Sequence, residues 1–286
     1  MRFGVMFANT GHGASPDGAV RIAQAAEAGG FEAIWTVEHV VVPSGYESAY
    51  PYDASGKMAG GAEDFDLPDP LIWLAYVAAR TERIKLATGI LIVPQRNPVI
   101  TAKEVATLDH LSGGRMVLGV GAGWLAEEFD ALGVPFDDRG RRLDEYLAVM
   151  RALWTEDKAT FHGEFFSFTD CISRPRPVNG TIPSVIGGHS HAAARRAGRI
   201  GDAFFPGSGS IDELRALVPV MCQAAEAAGR DPDSIEFIAG AGARPGDQLD
   251  ARVEQLAEIG VSQAVVPAFP ADVLTGVGEH LTARYG

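Results

Sequence analysis

Apolar residues along this chain recur in two rhythms, and the two alternate. Eight short runs without polar alternation, residues 2–8, 32–37, 84–93, 116–121, 184–187, 202–206, 235–239 and 263–267, read as strands buried on both faces. Each is followed by a segment whose apolar residues return at helical spacing: 15–28, 68–80, 98–111, 126–153, 190–199, 211–228, 247–259 and 270–283. The first of these opens Ser15-Pro16-Asp17 and closes Gly29-Gly30, a helix start followed by a helix stop. Strand, helix, strand with no alternation in the strands is a parallel βαβ unit. Eight such pairs in 286 residues predict an α/β chain folded as a (β/α)8 TIM barrel, a single domain over 1–286. A doubly wound open sheet is the alternative, and it rarely needs so regular a count of strands.

Two stretches exceed ordinary connections. Residues 40–67 follow the second strand and carry Tyr46, Tyr50, Tyr52 and Phe65. Residues 155–183 contain a hairpin-like pair, 159–161 and 165–168, turning at His162-Gly163-Glu164. Both are expected as insertions at the barrel mouth, where barrel enzymes build pockets and lids. For 155–183, plain decoration with a role in dimerisation is an equal reading.

Composition narrows the partners. The 37 acids against 24 bases give a net charge of −13, which disfavours a nucleic-acid or anionic-membrane surface. An anionic cofactor must then be held locally, by backbone N–H groups and a few cations. Cys171 and Cys222 make no disulfide framework in a chain of this size. No apolar run approaches a membrane span, and the start is too short and polar for a signal peptide. A soluble cytoplasmic protein is expected. Neither a metal-ligand spacing nor a nucleophile elbow is present.

Candidate chemistry collects at strand ends. His39 closes Trp35-Thr36-Val37-Glu38-His39, at the end of the second strand, where a barrel directs side chains into its mouth. There it can move a proton near neutral pH, or simply bond a carbonyl. Gly89 interrupts a strand before Ile90, which marks a bulge or a close approach. Gly121-Ala122-Gly123 ends the fourth strand before Trp124, leaving room for a planar ring or for helix–strand packing. The run Gly187-Gly188-His189-Ser190 reads as a strand end, a glycine turn and a capped helix start. Free amides of Gly188, His189 and Ser190 would form an anion site there, with Arg195 and Arg196 adding positive charge. A capped helix without a ligand is the plainer reading. Lys103, Glu104 and Asp109 read as structural, and Arg139, Arg141, Arg142, Asp144 and Glu145 as a solvated helix face laced with ion pairs.

The order of residues in 84–124 resembles the bacterial-luciferase-like superfamily of flavin and deazaflavin enzymes. The matching pieces are Arg96-Asn97-Pro98, the stretch 102–115 and Leu118-Gly119-Val120-Gly121-Ala122-Gly123-Trp124. The likeness runs from Arg2 to Asp202 and thins beyond. It implies that Glu38 and His39 are an acid–histidine pair with the imidazole beside the cofactor. Glu38 would orient that ring or serve as a structural acid paired with a neighbouring Arg. It also implies a non-proline cis peptide at Gly89–Ile90 under the ring system, and cofactor phosphate at Gly187, Gly188, His189 and Ser190.

Two departures matter. Trp124 stands where the sugar-phosphate and alcohol dehydrogenases of the superfamily carry an acidic proton donor, and Pro43 where they carry an aromatic residue. Both weigh against those activities. The run 136–145 with Leu153-Trp154 looks most like the branch that uses coenzyme F420. The resemblance therefore implies an oxidoreductase that moves hydride between coenzyme F420 and a small organic substrate, as a homodimer. The substrate would lie under Tyr46, Tyr50, Tyr52 and Trp124, with His39 as proton donor. The alternatives are an FMN-dependent monooxygenase using reduced flavin and oxygen, and a flavin-binding barrel without turnover.

Overall fold

All eight apolar runs become parallel strands of one closed sheet. The strands are β1 (Arg2–Met6), β2 (Ala33–Thr36), β3 (Lys85–Thr88), β4 (Leu91–Ile92), β5 (Met116–Gly121), β8 (Ser184–Gly187), β9 (Ala203–Phe205), β10 (Glu236–Gly240) and β11 (Gln263–Pro267), with β6 (Ala159–His162) and β7 (Ser167–Cys171) outside the barrel. In the computed structural model, which describes residues 1–53, 55–58 and 63–286, β1 lies between β11 and β2. The ring closes where β3 meets β5, with Leu86 opposite Met116. Residues 54 and 59–62, within the expected 40–67 insertion, lie outside the described residues.

The run 84–93 is one strand in two pieces. Upstream, Ala87 pairs with Val117; downstream, Leu91 pairs with Val120 and Ile92 with Gly121. Between them the Gly89–Ile90 peptide bond is cis, at the position the resemblance implied.

The helices are α1 (Pro16–Ala28), α2 (Pro70–Ala78), α3 (Pro98–Ser112), α4 (Ala126–Ala131), α5 (Arg139–Thr155), α6 (His191–Ile200), α7 (Ile211–Ala227), α8 (Asp247–Glu258) and α9 (Ala271–Tyr285). Local chemistry sets their starts. Asp69 accepts the Leu71 and Ile72 amides, Asn97 those of Val99 and Ile100, and Ser210 with Glu213 forms a reciprocal capping box. The expected helix over 126–153 is in fact two. Gly133, at φ 68°, terminates α4, and Pro135 falls in the connection to α5.

Three apolar clusters organise the interior. Inside the barrel, Trp35 meets Phe205 at 5.4 Å between ring centroids, packed with Ala33, Ala87, Val185 and Ala203. Between barrel and helices runs the main core, with Leu74, Val105, Leu118, Trp154 and Phe204 all buried. The third cluster belongs to the insertion itself, where Tyr46 and Met58 pack on Leu125 at the end of the fourth barrel strand.

The hairpin of β6 and β7 does not join that third cluster. It packs on the outer surface of α5, where Glu145 accepts the amides of Glu164, Phe165 and Phe166, and Tyr146 meets Phe166 edge-on at 5.2 Å. The chain that follows is tied to α3, with Lys103 on the Arg174 carbonyl and Asp109 on the Val178 amide. This segment joins a helix to the next strand. It therefore belongs to the αβ side of the fold, and the expectation of a second insertion over the mouth is corrected accordingly. Lys103 and Asp109 take the structural roles read for them.

The closure of the barrel leaves no room at Gly119. A Cβ there would lie 1.8 Å from the Thr88 carbonyl oxygen, and Thr88 Oγ1 already donates to the Gly119 carbonyl at 2.6 Å. Gly119→Ala must push β3 away from β5, a backbone displacement expected to cost about 3 kcal/mol or more. Thermal unfolding checks this: a melting temperature within a degree or two of the unaltered protein would show that the seam is looser than described.

Candidate active site

Two consecutive residues at the end of β2 part company. Asn9, fully buried, sets up the parting: its Nδ2 donates to the Val37 carbonyl at 2.8 Å while its Oδ1 accepts the Val37 N–H at 2.9 Å. With Val37 fixed, Glu38 points back to the strand seam and His39 points to α4.

Glu38 does not touch the imidazole. Its carboxylate accepts the Ile92 N–H just past the bulge and is gripped by Arg96, whose Nε donates at 2.9 Å. Arg96 Nη2 reaches the same carboxylate and also, at 2.7 Å, Asp69 at the start of α2. Burial pushes the Glu38 carboxyl above its usual range, opposed by the Arg96 charge and the Ile92 amide. Burial would lower Arg96, but Glu38 and Asp69 hold it above its ordinary value. Of the two roles considered for Glu38, the geometry is that of the acid paired with a neighbouring Arg. It props β4 behind the bulge.

The partner of His39 is Glu128, on α4. His39 Nδ1 lies 2.9 Å from Glu128 Oε2, and Glu128 Oε1 accepts the Val40 amide at 2.6 Å and that of Val41 at 3.3 Å. The Glu128 side chain is 0% exposed and that of His39 11%. Sequence reasoning missed Glu128 because it read 126–153 as one outer helix. The available signal was Glu128 beside Phe129 directly after Gly121-Ala122-Gly123-Trp124, where a buried acid needs a donor from elsewhere.

The glycines serve Ile90 more than open space. A Cβ on Gly121 would fall 2.6 Å from Ile90 Cδ1, and one on Gly187 would fall 2.4 Å from Ile90 Cγ2. The side chain beyond the bulge is thus seated between β5 and β8. Gly123, at φ 85°, packs against Phe129 and Ile92, the helix–strand packing considered for it, with Ala122 half-buried beside it. The room expected over Gly121 is occupied by Ile90, whose side chain also abuts Gly187.

Across the mouth runs a chain of aromatic contacts. His39 meets Trp124 edge-on at 5.6 Å, Trp124 meets Tyr50 at 5.2 Å, Tyr50 meets Tyr52 at 5.4 Å, and Tyr52 meets His189 at 6.3 Å. Tyr46 also touches Trp124, but it is 2% exposed, with Lys57 over its ring and its hydroxyl accepting the Met58 amide. Tyr46 therefore backs Trp124 from inside the small core of the insertion and does not face an open surface, a correction to its expected place. Tyr52 is 40% exposed, while desolvation, followed by Tyr50, pushes its phenol up to about 12 against the pull of the His189 amide. Phe7, which sequence reasoning passed over, is held at φ 62° at the end of β1 with its ring 42% exposed.

At the start of α6 the turn has the expected form. Gly188 adopts φ 121°, Ser190 accepts the Ala193 N–H at 3.2 Å, and the first turn carries no acid. Two of the donors expected for an anion are committed elsewhere. The Gly188 N–H donates to the Phe205 carbonyl at 3.3 Å, and Arg196 is held by Asp144 and the Gly140 carbonyl. The His189 amide faces the Tyr52 hydroxyl and the Ser190 amide stands beside it, with the helix dipole behind both. Among the described residues no group of His, Cys, Asp and Glu could hold a metal ion, and no helix is long and apolar enough to cross a membrane.

The family model described as luciferase-like monooxygenase matches residues 1–285. The chain belongs to that family. An uncharacterised protein of Mycobacterium tuberculosis is 32% identical over 287 residues, covering 99% of this chain and 98% of its own. An F420-dependent glucose-6-phosphate dehydrogenase of Nocardia farcinica is 39% identical over 176 residues, 59% of this chain and 52% of its own. An FMNH2-dependent dimethylsulfone monooxygenase of Pseudomonas putida is 37% identical over 144 residues, 49% of this chain and 39% of its own. The coenzyme F420-dependent tetrahydromethanopterin reductase of Methanopyrus kandleri superposes with a TM-score of 0.79 over 100% of this chain and 99% of that one, at 19% identity. The luciferase-like barrel is thus shared, and the family contains F420-dependent and FMN-dependent enzymes.

In this luciferase-like chain, α4 also holds the middle of the insertion. Glu127 Oε1 accepts the Glu47 amide at 2.7 Å and the Ser48 amide at 3.0 Å, while Ser48 Oγ accepts the Ala126 N–H at 3.1 Å. The Ser48 hydroxyl and the backbone amides hold the Glu127 carboxyl down at about 2. A folded value below the ordinary 4.5 means the clamp contributes fully above about pH 4.5 and is lost only as pH falls toward 2. Glu127→Ala should make the Glu47 and Ser48 amides exchange with deuterium at least about tenfold faster at neutral pH, the loss of hydrogen bonds to a charged acceptor. Unchanged protection would mean that something else holds this segment.

Proposed function

We infer that this protein is an oxidoreductase that uses coenzyme F420 for hydride transfer to or from a small organic substrate at the mouth of the barrel. The observation that carries the reading is the placement of His39. Its imidazole, fixed by Glu128, follows three residues after β2, whose last residue Thr36 pairs with Thr88 just before the Gly89–Ile90 bulge. The bulge would support a cofactor ring, with the Ile90 side chain seated between Gly121 and Gly187. His189, Ser190 and the acid-free start of α6 would hold its phosphate.

When bound, F420 supplies a carbon that gives or accepts hydride, whereas reduced FMN would supply oxygen chemistry. The chain's own contributions are the same for either. His39 holds or releases a proton at the mouth, Trp124 and Tyr50 wall the open face, and Tyr52 covers the phosphate turn. Trp124, where an acidic donor would serve sugar-phosphate or alcohol dehydrogenation, favours an uncharged substrate on an aromatic face.

Fluorescence titration of the purified protein with coenzyme F420 and with FMN tests the choice. Saturable micromolar binding of F420, with FMN weaker by tenfold or more, is expected. Preference for FMN would replace this reading with the FMN-dependent monooxygenase, and binding of neither would leave a barrel without a flavin. His39→Ala should bind the preferred cofactor within about threefold of the unaltered protein while losing about a hundredfold or more in turnover. Turnover at the original rate would remove the proton-donor role.

A further inference from the structure

Among the described residues, Glu128 is the carboxylate that meets both His39 and the amides that follow it. The acids beside it in sequence and in space are spoken for: Glu127 holds the Glu47 and Ser48 amides, and Glu38 is gripped by Arg96 and Ile92. Two backbone amides, of Val40 and Val41, donate to Glu128 Oε1, and His39 Nδ1 lies 2.9 Å from Oε2. An ionised carboxylate accepts hydrogen bonds and has no hydrogen to give. Against an ionised Glu128, Nδ1 must therefore carry the proton at this contact. A neutral imidazole has a single N–H, so Nε2 is left with its lone pair.

We propose that Glu128 is the positioning residue of this site: it fixes His39 as the Nδ1–H tautomer, with Nε2 free for the reactants, and ties the first residues of the insertion to the same carboxylate. The tautomer follows from the hydrogen bonds with Glu128 as an ionised carboxylate. Its use in turnover rests on the proposed function, in which Nε2 is the atom that takes or gives the proton. The arrangement also explains why a buried acid stands on α4. Taking a carboxylate out of water costs several kcal/mol unless donors replace the lost hydration, and here two amides and an imidazole do so.

Glu128→Gln separates this role from a merely structural one. Oε1 must remain an acceptor, because the Val40 and Val41 amides still point at it. The amide NH2 of the glutamine is then forced towards His39 Nδ1, which must accept. The proton moves to Nε2, and a nearly isosteric change inverts the tautomer.

The measurement is a long-range 1H–15N correlation spectrum of histidine-labelled protein at alkaline pH, without cofactor or substrate. The His39 signals are assigned by their absence from His39→Gln. The expected result is the Nδ1–H pattern in the unaltered protein and the Nε2–H pattern in Glu128→Gln. An Nε2–H pattern in the unaltered protein, or one tautomer in both, overturns the proposal. Should Glu128→Gln fail to fold, the unaltered protein alone still decides between the two tautomers. Failure to bind any flavin would remove the proposed function and leave this result standing, whereas the wrong tautomer removes the positioning role whatever the cofactor.

Discussion

A carboxylate with no solvent contact holds the mouth of this barrel together. Glu128 is reached by a histidine side chain and two backbone amides, all from the end of β2 and the chain that follows it. Removing one partner of such a buried group typically costs 3–5 kcal/mol, because the charge is left without replacement for its water. The orientation of His39, the exit direction of the insertion and the docking of α4 are therefore one constraint and not three. Glu127, one residue earlier, extends it by catching the insertion again at Glu47 and Ser48. Two neighbouring acids on a short helix thus decide where the tyrosines of the insertion can lie.

The bulge is the second fixed point, and it is built from the other side. Glu38, Arg96 and Asp69 lock the backbone just beyond Ile90 to the starts of α2 and α3, while Gly121 and Gly187 give the Ile90 side chain its seat. Barrel enzymes place their chemistry at the C-terminal ends of the strands, where several strands contribute a residue each. Here the ends of β1, β2, β5 and β8 bring Phe7, His39, Trp124 and His189 to one rim, bridged by Tyr50 and Tyr52. The contribution of the scaffold is rigidity beneath this rim of aromatic rings.

Much of the fold was legible because parallel strands covered on both faces must be continuous apolar runs, and each of the eight runs here became a strand. Helix starts were legible where Pro, Ser or Asn stood at the boundary, as at Pro16 and Pro98. The split of 126–153 was written in Gly133 and Pro135, but the helical spacing on either side masked it. The wiring of the site was not legible, because its bonds join residues far apart. Glu128 is 89 positions from His39, and Arg96 is 58 from Glu38, so no local period relates them. Adjacency in sequence suggested that Glu38 serves His39, yet successive side chains at a strand end face opposite ways. The glycines posed the same difficulty: their positions announced a close approach, and only the folded chain shows that Ile90 makes it. Tyr46 could be placed in the insertion but not on one side or the other of its small core.

The most direct measurement is a crystal structure of the protein with coenzyme F420, and in parallel with FMN. The expected result is a ring lying on the backbone of Gly89 and Ile90, one face open to His39 Nε2, with the phosphate at the amides of His189 and Ser190. Any shift of Tyr52 from His189 should leave the Glu128 contacts in place. A ring bound away from the bulge, or an imidazole released from Glu128 and turned from the ring, would contradict it.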